Sequence, residues 1–167
     1  GATASKIDQH QADAKVDYRL SDKDNLMARW SIGKYESIGS QNALPVLMTS
    51  GQSGPTQSFV ANWNRTFTPT IVNEARFAFS RVVIVDSTLD WSGLLGADGN
   101  QKFGIAGGQP IPGLSNIALG SGLNSIGSAA SLSNTADNKF IYYNNLTWQK
   151  GRHFIKIGGQ LMRYQQN

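Results

Sequence analysis

His10-Gln11-Ala12-Asp13-Ala14-Lys15-Val16-Asp17-Tyr18-Arg19-Leu20 places apolar or weakly polar side chains at every even position and polar or charged ones at every odd position. Side chains on a β-strand point to opposite faces in turn, so this segment has one greasy face and one charged face. The same period of two recurs in five later stretches, beginning near Leu26, Phe59, Ile71, Phe140 and His153. A half-buried soluble strand could show the pattern once. Six long copies, tied alternately by tight turns and by long Gly/Ser/Asn loops, read as the wall of a transmembrane β-barrel.

The connections set the organisation. Ser21-Asp22-Lys23-Asp24-Asn25 is a cluster of turn formers, Thr68-Pro69-Thr70 ends a strand because proline cannot donate to a ladder, and Lys150-Gly151 closes a third hairpin. The expected architecture is all-β: an antiparallel up-and-down meander of about six long strands within one partial barrel domain, 1–167. The hairpins are expected at about 9–36, 57–85 and 139–164, and the long outer loops at about 37–56 and 86–138. Strands of about 10 to 14 residues suffice to cross a bilayer with tilt. From Arg81 the alternation blurs, since Val82, Val83, Ile84 and Val85 are all apolar, which points to a bulge or a strand end buried by loops.

The second loop is charge-poor and about 50 residues long, far beyond an ordinary connection. Its apolar content, including Leu89, Trp91, Leu94, Leu95, Phe103 and Ile105, implies a packed loop with a short extra hairpin. Tyr18, Phe67 and Trp148 sit within a few residues of the three short turns and suit an aromatic girdle. Arg65 falls on the apolar side near a turn, where a long side chain can snorkel to the interface.

Composition removes several functions. The net charge is +4, with both signs spread along the strands, so no Lys/Arg block marks a nucleic-acid surface. With no cysteine there is no disulfide, thiolate metal site or Cys nucleophile. Mean hydropathy is −0.31 and no run approaches a membrane helix, yet a barrel strand shows lipid only every second residue. Gly1-Ala2-Thr3-Ala4 has neither the basic start nor the apolar core of a signal peptide.

Candidate chemistry is equally sparse. His10 and His153 are the only histidines, and each continues the alternation at a strand end. Asp86, Asp90 and Asp98 have no Ca²⁺-loop spacing, while Asp22 and Asp24 serve as turn formers. No G-x-S-x-G elbow occurs, and Gly120-Ser121-Gly122 lacks the rest of a dinucleotide fingerprint. Asn64-Arg65-Thr66 and Asn145-Leu146-Thr147 match glycosylation sequons but fall in expected strands. No enzyme activity, catalytic residue, metal site or cofactor is expected.

Several phrases resemble a known family. Asp13 to Tyr18 with Leu20 to Trp30, Phe67-Thr68-Pro69-Thr70-Ile71-Val72-Asn73-Glu74-Ala75-Arg76, Phe103-Gly104-Ile105, Ile111-Pro112-Gly113-Leu114 and Asn145 to Gln160 resemble successive hairpins and a long loop of TonB-dependent outer-membrane receptors. The Oar-like branch is the most similar. The resemblance implies a barrel of about 22 strands filled by a plug domain, energised through a TonB-box peptide and taking up a bulky nutrient. Neither plug nor TonB box is found in this sequence, and it ends at Gln165-Gln166-Asn167 without a terminal aromatic. It is therefore expected to be a barrel segment.

The partners implied are the lipid bilayer, the remainder of the barrel with its plug, and a TonB-type energising complex; no nucleic acid is expected. The location implied is the bacterial outer membrane. Substrate-contact candidates on the outer loops are Tyr35, Trp91 and Phe103, with the stretch 107–123. A different reading is a self-assembling structural or adhesive β-protein at the cell surface, whose copies pair edge to edge. A soluble lipocalin-like barrel would need about eight strands and short loops, against which the long loop counts.

The barrel reading also fixes facing. Ala14, Val16, Tyr18, Ala28, Trp30, Phe77, Phe79, Leu146, Ile155 and Ile157 should share one side of a single sheet, outward to lipid, and Asp17, Arg29, Glu74, Arg76 and Lys156 the other.

Overall fold

A computed structural model describes residues 5–40, 44–107, 111–128 and 132–167. The Gly1-Ala2-Thr3-Ala4 start lies outside the described residues, as do residues 41–43, 108–110 and 129–131 of the two long loops. Six strands form: β1 (Lys6–Arg19), β2 (Asp24–Ile38), β3 (Thr49–Thr68), β4 (Ile71–Leu89), β5 (Asn134–Lys150) and β6 (His153–Gln166). They make one sheet in chain order, an antiparallel meander. A single helical turn, α1 (Gly99–Lys102), lies in the second long connection.

The strands outrun the alternation that announces them. β3 has 20 residues and begins at Thr49, where Gly51, Gly54 and Pro55 had read as loop. Gly51 fits closely there: a Cβ would come within 2.9 Å of Ser87 Oγ and 3.0 Å of a Leu89 methyl, so those side-chain ends would have to shift. β4 continues through the all-apolar run to Leu89, half-buried at every position from Val82 onward. The phase blurs because both faces of that strand end are covered.

The chain divides into two compact units. The strand unit comprises His10–Lys34, Pro55–Val83 and Thr135–Asn167. The β5–β6 register sets Tyr142 opposite Leu161, Leu146 opposite Ile157 and Trp148 opposite Ile155 on one face. The alternate pairs, Tyr143 with Gln160 and Thr147 with Lys156, occupy the other. Ring contacts extend the apolar rows across the sheet: Phe59 to Phe77 at 6.2 Å, Phe77 to Tyr142 at 5.1 Å and Phe79 to Phe140 at 5.1 Å. On the polar face Asp13 accepts from Arg29 Nη2 at 2.9 Å and from the Ser31 hydroxyl. Arg76 donates to Glu74 at 2.9 Å and lies over the Tyr143 ring. These exposed pairs contribute little stability, but they separate the two sets of side chains as the period of two requires.

The apolar rows of all six strands, from Val16 and Tyr18 to Leu161, border one open hollow of about 950 Å³. The polar face carries a smaller hollow of about 390 Å³ beside Arg29, Ser31, Thr56 and Ser80. Rings meeting across neighbouring strands lower the exposure of the apolar rows. Even so, Ile157 and Leu161 on the edge strand remain 67% exposed.

The turns of this unit are built locally. Ser21 Oγ donates to Asp24 at 2.7 Å and accepts from the Lys23 N–H at 3.1 Å. The third turn is Gly151-Arg152, one residue later than expected, with Gly151 at φ +60°. That left-handed first position suits a type II′ hairpin, whose twist matches the flanking strands. Arg65, on the apolar side, lies 5.2 Å from the Phe67 ring and 5.9 Å from the Trp63 ring, and its guanidinium is 3.5 Å from Asp24. Trp63 Nε1 donates to the same carboxylate at 2.9 Å.

The loop unit comprises Gly1–Gln9, Tyr35–Gly54 and Ile84–Asn134. Here Met48, Leu95 and Leu114 are buried, with Val46, Ile105, Ile117 and Ile126 packed against them. Among the described residues no other hydrophobic side chain is buried. The expected extra hairpin is present: Ile117 and Ile126 exchange backbone hydrogen bonds of 2.9 and 3.0 Å. Its tip, Ser121-Gly122, has φ of +60° and +78°, as a type I′ turn demands.

Candidate ligand-binding site

The loop unit is ordered by polar clamps around its small core. Asp90 leaves β4 and turns its carboxylate onto the N–H groups of Leu95 and Gly96, both at 2.9 Å, while Ser92 Oγ donates to it at 2.9 Å. Burial pushes the Asp90 carboxyl upward, but those backbone and hydroxyl donors outweigh it and hold its pKa below the ordinary value. Asn100 acts as a backbone surrogate: its amide donates to Ser115 Oγ at 2.8 Å and accepts from the Ser115 N–H at 2.9 Å. Two glycines permit the closest approaches. A Cβ on Gly99 would overlap the Gly113 carbonyl, and one on Gly127, at φ +83°, would overlap the Ser115 carbonyl.

The first and second long connections are joined directly. Leu47 pairs with Gly127 in a parallel bridge, and the Gly127 N–H donates to Val46 O at 2.7 Å. Trp91 Nε1 donates to the Leu47 carbonyl at 3.1 Å. Between the two segments lies an open pocket of about 520 Å³, within the range of small-molecule sites. Gly39, Ser40, Leu47, Met48, Thr49 and Ser50 form one wall. Asn116, Asn124, Ser125, Gly127 and Ser128 form the other.

Among the described residues no lining side chain is charged, and most carry a hydroxyl or an amide. Some are committed to structure: Thr49 Oγ1 donates to Ser40 O at 2.9 Å, and Asn116 Nδ2 to Ser128 O at 2.7 Å. The side chains of Ser50, Asn124 and Ser125 are exposed and have no hydrogen-bond partner among the described residues. Such a surface can donate to and accept from a neutral polar ligand.

The three candidates from the sequence occupy different settings. Tyr35 lies on strand β2, half-buried, not on a loop. Trp91 is half-buried with its N–H committed to Leu47, which makes it a pin between loops. Phe103 caps α1 and is 54% exposed. No hydrogen bond, ion pair or ring contact joins these three among the described residues. The stretch 107–123, of which 108–110 lie outside the described residues, supplies only Asn116 to the pocket. Asn124, Ser125 and Ser50 were missed; the one signal for Asn124 and Ser125 is the Ser/Asn/Gly run from Ser115 to Ser128, and none marks Ser50.

The aspartates singled out do not gather. Asp86 accepts from the Ser133 hydroxyl and from Gln52 at 3.0 Å, and Asp98 stands before α1 without a side-chain cap bond. Among the described residues no cluster of His, Asp or Glu could hold a metal ion.

A family model described as "Outer membrane beta barrel domain" matches residues 1–167. Among curated proteins and among solved structures, nothing matches the chain.

Proposed function

The chain belongs to the outer membrane beta barrel domain family, and from that premise we propose that it forms wall and outer loops of a TonB-dependent receptor. In this reading the receptor takes up a bulky nutrient through a plugged barrel, powered by a TonB-type complex. The observation that carries it is where the chain spends its burial. Among the described residues the buried hydrophobic side chains, Met48, Leu95 and Leu114, all belong to the loop unit, while the six strands leave Val16, Trp30, Ile157 and Leu161 exposed. A water-soluble sheet would cover its greasy face, whereas a membrane wall leaves that to lipid. A loop unit with its own core and pocket supports recognition of a solute outside the membrane, since recognition residues favour loops on a rigid scaffold. The resemblance of successive hairpins to TonB-dependent receptors supplies the energised mechanism. The proposal assigns no catalytic step, cofactor or nucleic-acid partner.

The test uses the full-length protein in its own cells. Deleting it should abolish uptake of one scarce solute, and a protonophore should abolish that uptake in wild-type cells. Growth on every scarce nutrient unchanged by the deletion would count against transport.

One observation favours a second reading, a self-assembling surface protein: β1 and the first twelve residues of β6 are exposed throughout. Detergent-free fibres of the intact protein would support it, and a monodisperse detergent-solubilised monomer would remove it.

A further inference from the structure

From the pocket between the two long connections, we infer that it binds a neutral, polyhydroxylated ligand of the oligosaccharide class. This names a substrate class for the receptor reading and rests on it only for the ligand's later transport.

Three features of the pocket select this chemistry. The first is charge: among the described residues none of the lining side chains is ionisable. An anionic ligand such as a ferric chelate or a phosphate would enter without a paired cation, which is costly for a partly desolvated charge. The second is the free hydrogen-bonding capacity. Asn124 offers an amide that donates and accepts side by side, flanked by the Ser125 hydroxyl, with the Ser50 hydroxyl on the opposite wall. Vicinal hydroxyls of a sugar present the same paired donor and acceptor. The third is the state of the backbone. Gly39 and Gly127 line the pocket, but their N–H groups already donate to Ser50 O at 2.9 Å and Val46 O at 2.7 Å. A peptide adding by main-chain pairing finds those donors occupied, whereas a ligand recognised through side-chain hydroxyls and amides does not. Leu47 and Met48 add an apolar patch for the C–H face of a sugar ring.

The experiment measures binding to the intact, detergent-solubilised protein by calorimetry. The probes are maltotetraose, cellotetraose and xylotetraose, with ferric citrate and tetraglycine as competitors from other classes. At least one tetrasaccharide should bind, and the double variant Asn124→Ala, Ser125→Ala should weaken it at least tenfold. Among the described residues neither side chain supports the fold through a hydrogen bond, so the variant should keep its far-ultraviolet spectrum; Ser50→Ala gives an independent second disruption from the other wall. Absence of binding by all three sugars, sugar affinity unchanged in both variants, or preferential binding of ferric citrate or tetraglycine that the variants abolish would each overturn the inference. The transport reading fails separately. Sugar binding without protonophore-sensitive uptake in cells removes the transporter and leaves the site. Energised uptake of another solute, untouched by the double variant, removes the site and leaves the transporter.

Discussion

Trp91 Nε1 donates a 3.1 Å hydrogen bond to the carbonyl of Leu47, a residue 44 positions earlier in the chain. The indole thereby fastens the second long connection to the first, and Leu47 is itself a wall of the pocket. Trp91→Phe keeps most of the ring and removes the donor, leaving a carbonyl unpaired. The expected loss is about 1 kcal/mol. Amide hydrogen exchange should accelerate around 46–48 and 114–128 and stay unchanged in β5 and β6. Uniform acceleration through the strands would show that the loop unit has no stability of its own.

Two glycines separate backbone strain from steric overlap. Gly122→Ala meets no atom within 4 Å and costs only the left-handed conformation, φ +78°, about 1 kcal/mol. Gly127→Ala combines φ +83° with overlap of the Ser115 carbonyl, so it should lose at least about 2 kcal/mol and collapse the pocket. Thermal or denaturant melts of the intact protein, read by loop-specific exchange, check the order. Equal effects at the two positions would contradict the close approach.

Acid should loosen the same unit through Asp90. Its folded pKa is depressed, chiefly by the Gly96 N–H, the Ser92 hydroxyl and the Leu95 N–H working against burial. A depressed carboxylate contributes stability that is fully present above its unfolded pKa, about 3.9. That stability is lost as pH falls from there through the lower folded pKa. Hydrogen exchange at Leu95 and Gly96 should therefore rise below about pH 4, beyond the intrinsic pH effect. Asp90→Asn should show the loosened behaviour already at pH 7, with a flatter acid response.

Facing predicts an asymmetric response to charge. Leu146→Arg lies on the apolar row opposite Ile157 and should impair insertion by about 2 to 4 kcal/mol if that level lies near the bilayer midplane. Thr147→Arg, one residue along and opposite Lys156, should insert normally. Outer-membrane fractionation of the full-length protein compares the two; equal yields would contradict the assignment of faces.

The fold was legible because a strand period of two is visible in side-chain type alone, and the three hairpins β1–β2, β3–β4 and β5–β6 follow from turns too short for a crossover, while the long connections leave the pairing of β2 with β3 and of β4 with β5 to the sheet itself. Strand ends were not. Gly51 and Pro55 look like loop residues, yet both lie in β3, where Ser87 and Leu89 pack closely over Gly51, a contact no local pattern reveals. The hollow of the apolar face depends on rings meeting across strands, as at Phe77 and Tyr142. The pocket was least legible. Large aromatics drew attention to Trp91 and Phe103, while the free hydrogen-bonding groups are the small, common side chains of Ser50, Asn124 and Ser125. Those become a site only when a bridge 80 residues long in sequence, Leu47 to Gly127, brings the two connections together.

The central claim is that the even-numbered row of β5 and the odd-numbered row of β6 that it faces lie against lipid. Nitroxide labels on the full-length protein in liposomes test it most directly, at Leu146, Ile155 and Ile157 on one row and Thr147, Lys156 and Gln160 on the other. Collision rates should alternate residue by residue, with oxygen reaching the first row and a water-soluble nickel chelate reaching the second. Nickel access to Leu146, Ile155 and Ile157, or loss of the alternation, would contradict a membrane wall.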